Sequence, residues 1–380
     1  MKENQEIIVR RANYSDLHEL IKFFIKAYGN TTIFKNEQFL EHYFYPTFSN
    51  EESIGNCLIG LNSDREIVSH YGGLNYNLKI NNKIISMIWG VSAYTLPEWR
   101  GKGYNSKIID FIFQNNEING VIGFTEDTAS FYQKTGYNLF EFERFTRYIM
   151  ILDLKKTLEI VNFIQQDYSL FSKQKLYRAQ PKLKIDFGEV VELTKENINR
   201  YTLNLEEDLT EIATTHRSLK FLNWRFFDNP YIKYKIFGVL LNQSIVSYIV
   251  LREEQLKPYN YKVSRIIDLY GKKEGIGRLI EKTFHESISK KHIYIDFSMF
   301  GNIYDDELVS SQFIKLENED FSILPQVTSP IENRPNREFL GIQSKSFRKE
   351  IENLTKSSVY FTRMDSDRDR LVKISQINQV

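Results

Sequence analysis

The sequence predicts a mixed α/β fold arranged as two consecutive units. Three observations predict it. Short apolar strands alternate with amphipathic helices in the first 150 residues. A turn with two glycines joins a strand to a helix near residue 100. The same order of strands, helix and strand returns after residue 235. The chain has 380 residues, and at roughly 100–200 residues per domain that length suggests two domains.

Ile7-Ile8-Val9-Arg10-Arg11 reads as a strand. Leu17, Leu20, Ile21, Phe24 and Ile25 then recur at helical spacing, with Ser15 or Asp16 placed to cap the helix start. A second, aromatic-rich helical stretch covers 39–48. Strands follow near 57–61, 66–74 and 84–95, separated by Asn, Asp and Gly turns. A helix over 105–115 carries Ile108, Ile109, Ile112 and Phe113 on one face. Strands near 120–124 and 142–152 are expected to close the first unit. Residues 155–176 read as helical, and a turn around Pro181 marks the connection. The second half shows a helix at 218–227 and strands at 235–241, 244–252 and 264–270. A helix at 275–289 and a strand at 292–298 complete the echo. A loop-rich stretch at 324–337 and a strand at 358–364 follow. The domain boundaries read from this are 1–152, a helical linker at 153–185, and 186–380.

Composition removes several function classes. Lys plus Arg number 50 and Asp plus Glu 49, and a net charge of +1 argues against a dominant nucleic-acid or anionic-membrane partner. One cysteine, Cys57, excludes a disulfide framework and a cysteine-rich zinc site, so no metal is expected. No apolar run approaches the ~18 residues of a membrane helix, and the first residues lack a signal-peptide core. A cytoplasmic location is the expectation.

Leu96-Pro97-Glu98-Trp99-Arg100-Gly101-Lys102-Gly103-Tyr104-Asn105-Ser106 lies between a strand and an amphipathic helix. Glycines let the backbone approach a ligand closely. The first amides of a helix have no internal partners and sit at the positive end of its dipole, so a pyrophosphate suits them. Arg100 and Lys102 add fixed positive charge. A solvated glycine-rich turn is the plain alternative.

This segment resembles the acetyl-CoA signature of the GNAT superfamily of N-acetyltransferases, Arg/Gln-x-x-Gly-x-Gly/Ala. Arg100 and Gly103 match, and Asn105 stands where Gly or Ala is usual. Thr128-Ala129-Ser130-Phe131-Tyr132-Gln133-Lys134-Thr135-Gly136-Tyr137 resembles the family's Ala-x-x-Phe-Tyr-x-x-x-Gly-Phe segment. The resemblance covers roughly residues 7–150. It implies tandem GNAT-like domains on mostly antiparallel central sheets that splay open at acyl-CoA. It also implies a cofactor site at Tyr94, Thr95, Arg100, Gly101, Lys102, Gly103, Tyr104, Asn105 and Ser106, and Tyr132 as the acid for the departing thiolate. Many relatives carry a carboxylate on the strand before the turn. Here Met87–Thr95 has none. By position, Glu126, Asp127 and His70 are the substitutes, Glu126 foremost, and His70 is also a candidate acceptor contact.

In the second half, Phe221-Leu222-Asn223-Trp224-Arg225 reads as an aromatic-basic helix. Arg265-Ile266-Ile267-Asp268 places an Asp in an apolar strand, and Asp365-Ser366-Asp367-Arg368-Asp369-Arg370 is a charged cluster. Together they resemble the C-terminal half of tandem-GNAT proteins of bacterial surface polysaccharide synthesis, some of which acylate nucleotide-linked amino sugars. That resemblance implies Trp224, Arg225, Asp365, Asp367 and Arg370 as acceptor contacts. Lys272-Lys273-Glu274-Gly275-Ile276-Gly277 repeats the cofactor pattern without its spacer and reads as a degenerate copy. The cluster's spacing lacks the Gly and Glu of a calcium loop. The expected activity is acyl transfer from acyl-CoA to a primary amine, with a nucleotide-linked amino sugar as acceptor. Aminoglycoside or peptide N-acetylation and a non-catalytic acyl-CoA-binding protein are the rivals. A tRNA-dependent aminoacyl transferase fits neither the turn nor the charge.

Overall fold

The computed structural model describes residues 7–44, 55–124, 126–140, 145–164, 176–180, 186–205, 209–316, 323–329, 331–332 and 339–379. It is mixed α/β, and among the described residues seventeen strands join into one mostly antiparallel sheet.

Strand β1 (Ile8–Arg11) leads into helices α1 (Leu17–Tyr28) and α2 (Glu37–Tyr43). Leu17, Leu20, Phe23 and Phe24 form the buried stripe of α1, which ends where Gly29 takes a φ of 85° and donates to Ile25. Strands β2 (Gly55–Leu61), β3 (Ile67–Ile80) and β4 (Lys83–Thr95) make an antiparallel meander with β1. Helix α3 (Tyr104–Asn115) crosses over to β5 (Ile118–Phe124), which runs parallel to β4. Helix α4 (Glu126–Lys134), β6 (Asn138–Leu139), β7 (Thr146–Ile151) and α5 (Leu154–Ile164) follow. The predicted helical stretches 39–48 and 155–176 extend partly into residues outside the described set.

The pattern then repeats. Strands β8 (Glu189–Leu193), β9 (Thr202–Leu203) and β10 (Ala213–Thr215) precede α6 (Leu219–Leu222), which continues as a π-turn over Asn223–Phe227. Strands β11 (Lys235–Leu241), β12 (Ser244–Leu256) and β13 (Tyr261–Gly271) form a second meander. Helix α7 (Lys273–Ser289) crosses to β14 (Tyr294–Phe300), parallel to β13. The remaining elements are α8 (Asp305–Ser310), β15 (Ile314–Leu316), a β16 (Val327–Thr328) and β17 (Ile331–Glu332) pair, β18 (Phe339–Ser344), α9 (Arg348–Glu352) and β19 (Val359–Thr362). No helix among the described residues is long and apolar enough to cross a membrane.

The two repeats exchange strands. The expectation that 142–152 closes the first unit is corrected here. Strand β7 pairs antiparallel with β14 and with β15, in the second repeat. The outer edge of β5 is covered instead by β18, with Phe339 opposite Phe124 and Ser344 opposite Ile118. All six residues of β7 are buried, so its sequence does not say which sheet it enters. Arg147 decides the match: its Nε and Nη2 donate to Asp296 on β14 at 2.7 and 3.1 Å, with both side chains fully buried. Burial alone would raise the Asp296 carboxyl. Arg147, Arg363 and Arg265 around it outweigh burial and hold it well below the usual carboxylate range.

The parallel strand pairs diverge in both repeats, with different outcomes. In the first, Met87–Gly90 lie beside Ile118–Val121, and beyond that register β4 and β5 separate. No strand among the described residues enters that gap. In the second, β13 and β14 are paired at Ser264–Ile295 and Arg265–Asp296 only, and β19 enters beyond them, pairing with β14. Tyr270, Tyr304 and Tyr360, all fully buried, pack there with the Arg217–Asp268 ion pair at 2.9 Å. Gly275 and Gly277 lie buried inside α7, and a Cβ on Gly275 would collide with Ser247. Gly275 serves the close packing of α7 on β12. Among the described residues, the gap of the second repeat is thus occupied by β19, and its two glycines are buried inside α7.

Candidate active site

The first gap ends at the glycine turn. After Thr95 a short 3₁₀ turn, Pro97–Trp99, redirects the chain, and Gly101 and Gly103 take φ values of 73° and 89°. Gly103 is the left-handed N-cap of α3. Among the described residues, the backbone N–H groups of Gly101 to Ser106 have no hydrogen-bond acceptor, and Lys107 is the first to find one, on Gly103. Such a row of free donors at a helix start fits a pyrophosphate.

The side chains of this segment divide. Tyr104 is buried, with its ring edge-on to Trp99 and over Gly60, so only its backbone can serve a ligand. Asn105 turns inward, where its Oδ1 accepts from Thr95 Oγ1 at 3.2 Å. Asn105 thus ties the helix start to β4 and leaves the cradle clear, which explains how it replaces Gly or Ala. Arg100 folds back over the Tyr94 ring at 5.3 Å, and its Nε donates to the Thr95 carbonyl at 3.1 Å. That carbonyl, expected to meet the pantetheine, keeps its second lone pair for a ligand. The Lys102 ammonium stands 4.0 Å from the Trp99 ring centre.

Deeper in the gap, β4 carries a bulge. Gly72 pairs with Val91 and His70 with Tyr94, so β4 holds an extra residue, and Ser92 sits at a φ of 51°. Bulges re-aim side chains beside sites. Tyr132 lies on α4, which follows β5, and packs against Phe124 at 4.7 Å and Tyr137 at 5.2 Å. Burial pushes its hydroxyl up to about 12, so it stays protonated at neutral pH, as an acid requires. The side chains of Glu126 and Asp127 lie outside the described residues.

His70 is corrected from acceptor contact to core residue. It is fully buried, with Nδ1 at 3.0 Å from the Ser92 carbonyl and Nε2 at 3.1 Å from Cys57 Sγ. Phe24 packs edge-on to it at 4.6 Å. Burial holds the ring down to about 4, so it is neutral and a poor base at pH 7. His70 ring-proton NMR shifts are therefore expected to stay constant from pH 8 down to about 5.5. A titration midpoint near 6.5 would contradict this burial.

The second-half candidates separate in the same way. Arg225 is buried and donates from Nε to the Met364 carbonyl at 3.1 Å, so it anchors the C-terminal segment and has no face for an acceptor. Trp224 stacks on His42 and donates to the His42 carbonyl at 3.2 Å. Asp365 is fully buried, accepting from Thr362 N at 2.6 Å and from Thr215 Oγ1. Asp369, also buried, accepts from Tyr234 and from Arg252 at 2.8 Å. Both carboxylates hold the segment in place.

Asp367 and Arg370 differ, because after β19 the chain runs as a strap across the first gap. Ser92 Oγ donates to Asp367 Oδ2 at 3.2 Å, and Arg370 Nε donates to the same oxygen at 2.5 Å. The Arg370 guanidinium covers the Phe34 ring at 4.7 Å. The neighbouring Arg368 reaches the other side, where its Nη1 is 3.3 Å from the position of a Cβ on Gly123, at the end of β5. Sequence reasoning placed Arg368 in the charged cluster as a possible phosphate contact but missed Ser92 and Gly123 as parts of this site. Nothing local marks them, because their meeting depends on contacts across more than 240 positions.

Residues 8–140, most of the first repeat, match the family model described as an acetyltransferase (GNAT) domain. Three solved structures share the architecture. A conserved protein of unknown function from Enterococcus faecalis V583, described as a probable N-acyltransferase, aligns with a TM-score of 0.56 at 13% identity, covering 90% of this chain and 72% of its own. GCN5-related N-acetyltransferases from Kribbella flavida and Anabaena variabilis ATCC 29413 each align with a TM-score of 0.51, at 10% and 9% identity. Each alignment covers 89% of this chain, with 71% and 72% of the other chain. These likenesses extend across both repeats and establish the fold. No curated protein matches the sequence.

Proposed function

We propose that the protein transfers an acyl group from acyl-CoA to a primary amine. The row of free amides from Gly101 to Ser106, set where β4 leaves β5, carries this reading. The pyrophosphate would rest on those amides and the pantetheine would follow the open edge of β4 toward Ser92. Tyr132 would protonate the thiolate as the C–S bond breaks.

For the acceptor we favour a nucleotide-linked amino sugar of bacterial surface polysaccharide synthesis, held partly by residues from 186–380 beside an acyltransferase domain at 1–152. Two observations support it. The second repeat has a filled gap, so its retention calls for a role other than binding acyl-CoA. Its strap delivers Asp367 and Arg370 to the bulge of β4. An aminoglycoside or a peptide amine could meet the same two groups. A non-catalytic acyl-CoA-binding protein is the second reading, favoured by the absence of any carboxylate on β4.

Thiol release from acetyl-CoA, measured with a nucleotide-linked amino sugar, an aminoglycoside and a short peptide, separates these readings. Amine-dependent release is expected. CoA binding without release for any amine would establish the binding protein instead. Tyr132→Phe is expected to lower kcat by ~10²-fold or more with little change in KM. A change below about threefold would make Tyr132 a packing residue.

A further inference from the structure

We propose that Asp367 takes the proton from the acceptor amine, delivered to the first gap by the C-terminal strap in place of the carboxylate that β4 lacks. The inference rests on the acyltransferase reading above. The geometry behind it is specific. Ser92, the residue re-aimed by the β4 bulge, holds Asp367 Oδ2, and Arg370 holds the same oxygen. Among the described residues, the other oxygen, Oδ1, has only a 3.5 Å contact with Ser366 Oγ and so offers lone pairs to a ligand. The side chain is 16% exposed, enough for access and little enough to exclude most water. Asp367 reaches β4 while Arg368 reaches the end of β5, so the strap spans the two strands that diverge.

The step balances. The Asp367 carboxylate takes one proton from the ammonium and frees the nitrogen lone pair, which attacks the thioester carbonyl carbon. As the adduct collapses the C–S bond breaks, the thiolate takes a proton from Tyr132, and the second N–H proton passes through water to the Tyr132 phenolate. Products are the amide and the thiol, and Asp367 returns its proton to water. The groups facing Asp367 are Arg370 on its own segment, Ser92 on β4, Tyr28 on α1, Tyr43 on α2 and Tyr76 on β3, with His70 behind Ser92. Burial raises the three tyrosines above the phenol range and holds His70 down to about 4. None of those four changes charge between about pH 5.5 and 9, and Asp365, which faces Tyr76 from the same segment, is raised by burial to about 6, so the pH comparison of the variants is made above pH 7.

The test uses the full chain, acetyl-CoA and the amine turned over fastest in the panel above. Asp367→Asn is expected to lower kcat/KM by ~10²-fold near pH 7, with CoA affinity unchanged by calorimetry. The deficit should shrink as the pH approaches the amine's own pKa, because a neutral amine no longer needs a base. A purely structural defect would lower the rate equally at every pH, and that outcome, or a loss below about threefold, overturns the proposal. Asp367→Glu keeps the charge opposite Arg370 and so guards against a variant that does not fold. Displacing the carboxylate by one methylene is expected to cost about tenfold in kcat, and full wild-type turnover would overturn the assignment. If the wild type neither binds CoA nor releases it from acetyl-CoA with any amine, the acyltransferase reading itself fails, a result distinct from an inert Asp367.

Discussion

Gly103→Glu is expected to abolish coenzyme A binding while the protein stays folded. Gly103 caps α3 in the left-handed region, at a φ of 89°. A side chain there brings strain of roughly 1–2 kcal/mol, which a protein of this size can bear. Space is not the obstacle, since the nearest heavy atom to a Cβ would be Ile7 Cδ1 at 3.7 Å. The effect comes from charge and competition. The new carboxylate would stand among the amides of Gly101 to Ser106 and accept from them in the pyrophosphate's place. Charge-assisted hydrogen bonds contribute about 1.5–3 kcal/mol each, so losing two weakens binding by on the order of 10²–10⁴-fold. Gly103→Ala carries the strain without the charge and should retain most of the affinity. Calorimetry with CoA, alongside a thermal melt of each variant, makes the measurement. Undiminished affinity in Gly103→Glu would remove the turn from the binding site.

Residues 1–152 expressed alone are expected to give no cooperatively folded domain. The reason is the strand exchange. Without β18 the outer edge of β5 is left unpaired over Ile118–Phe124, and open apolar edges recruit other chains. Strand β7 would lose β14 and β15 and expose a run that is buried at all six positions. Arg147 would lose Asp296, and removing one partner of a buried ion pair typically costs about 3–5 kcal/mol. Aggregation, or a melt without a transition, is the expected result, and co-expression with residues 153–380 should restore soluble protein. A soluble, cooperatively melting fragment 1–152 would show that the first repeat closes its own sheet in isolation.

The sequence was most informative where the signal is local. Helix α1 begins within a residue of its expected start because Leu17, Leu20 and Phe24 sit on one face. Strand β11 falls at 235–241 as read, and α3 starts one residue before its expected position. The glycine turn was legible for the same reason. Positive φ and free helix-start amides are consequences of a short segment, here Arg100 to Ser106. Strand β18 was missed because Phe339-Leu340-Gly341-Ile342-Gln343-Ser344 follows a loop-rich stretch and is too short to announce a partner. The charged cluster near the end read as one unit. Its members have different jobs, because Asp365 and Asp369 are buried whereas Asp367 and Arg370 stand at the gap.

By itself, the sequence determined two α/β repeats and a glycine turn before the crossover helix of the first, since each is written in contiguous residues. Tertiary structure alone decided which sheet each closing strand joins, which gap stays open, and which carboxylate reaches the β4 bulge. Those outcomes depend on pairings between positions far apart in the chain, Arg147 with Asp296, Phe339 with Phe124, Ser92 with Asp367. Hydrophobic period and turn chemistry encode an element's type, and only the packed chain selects its partner.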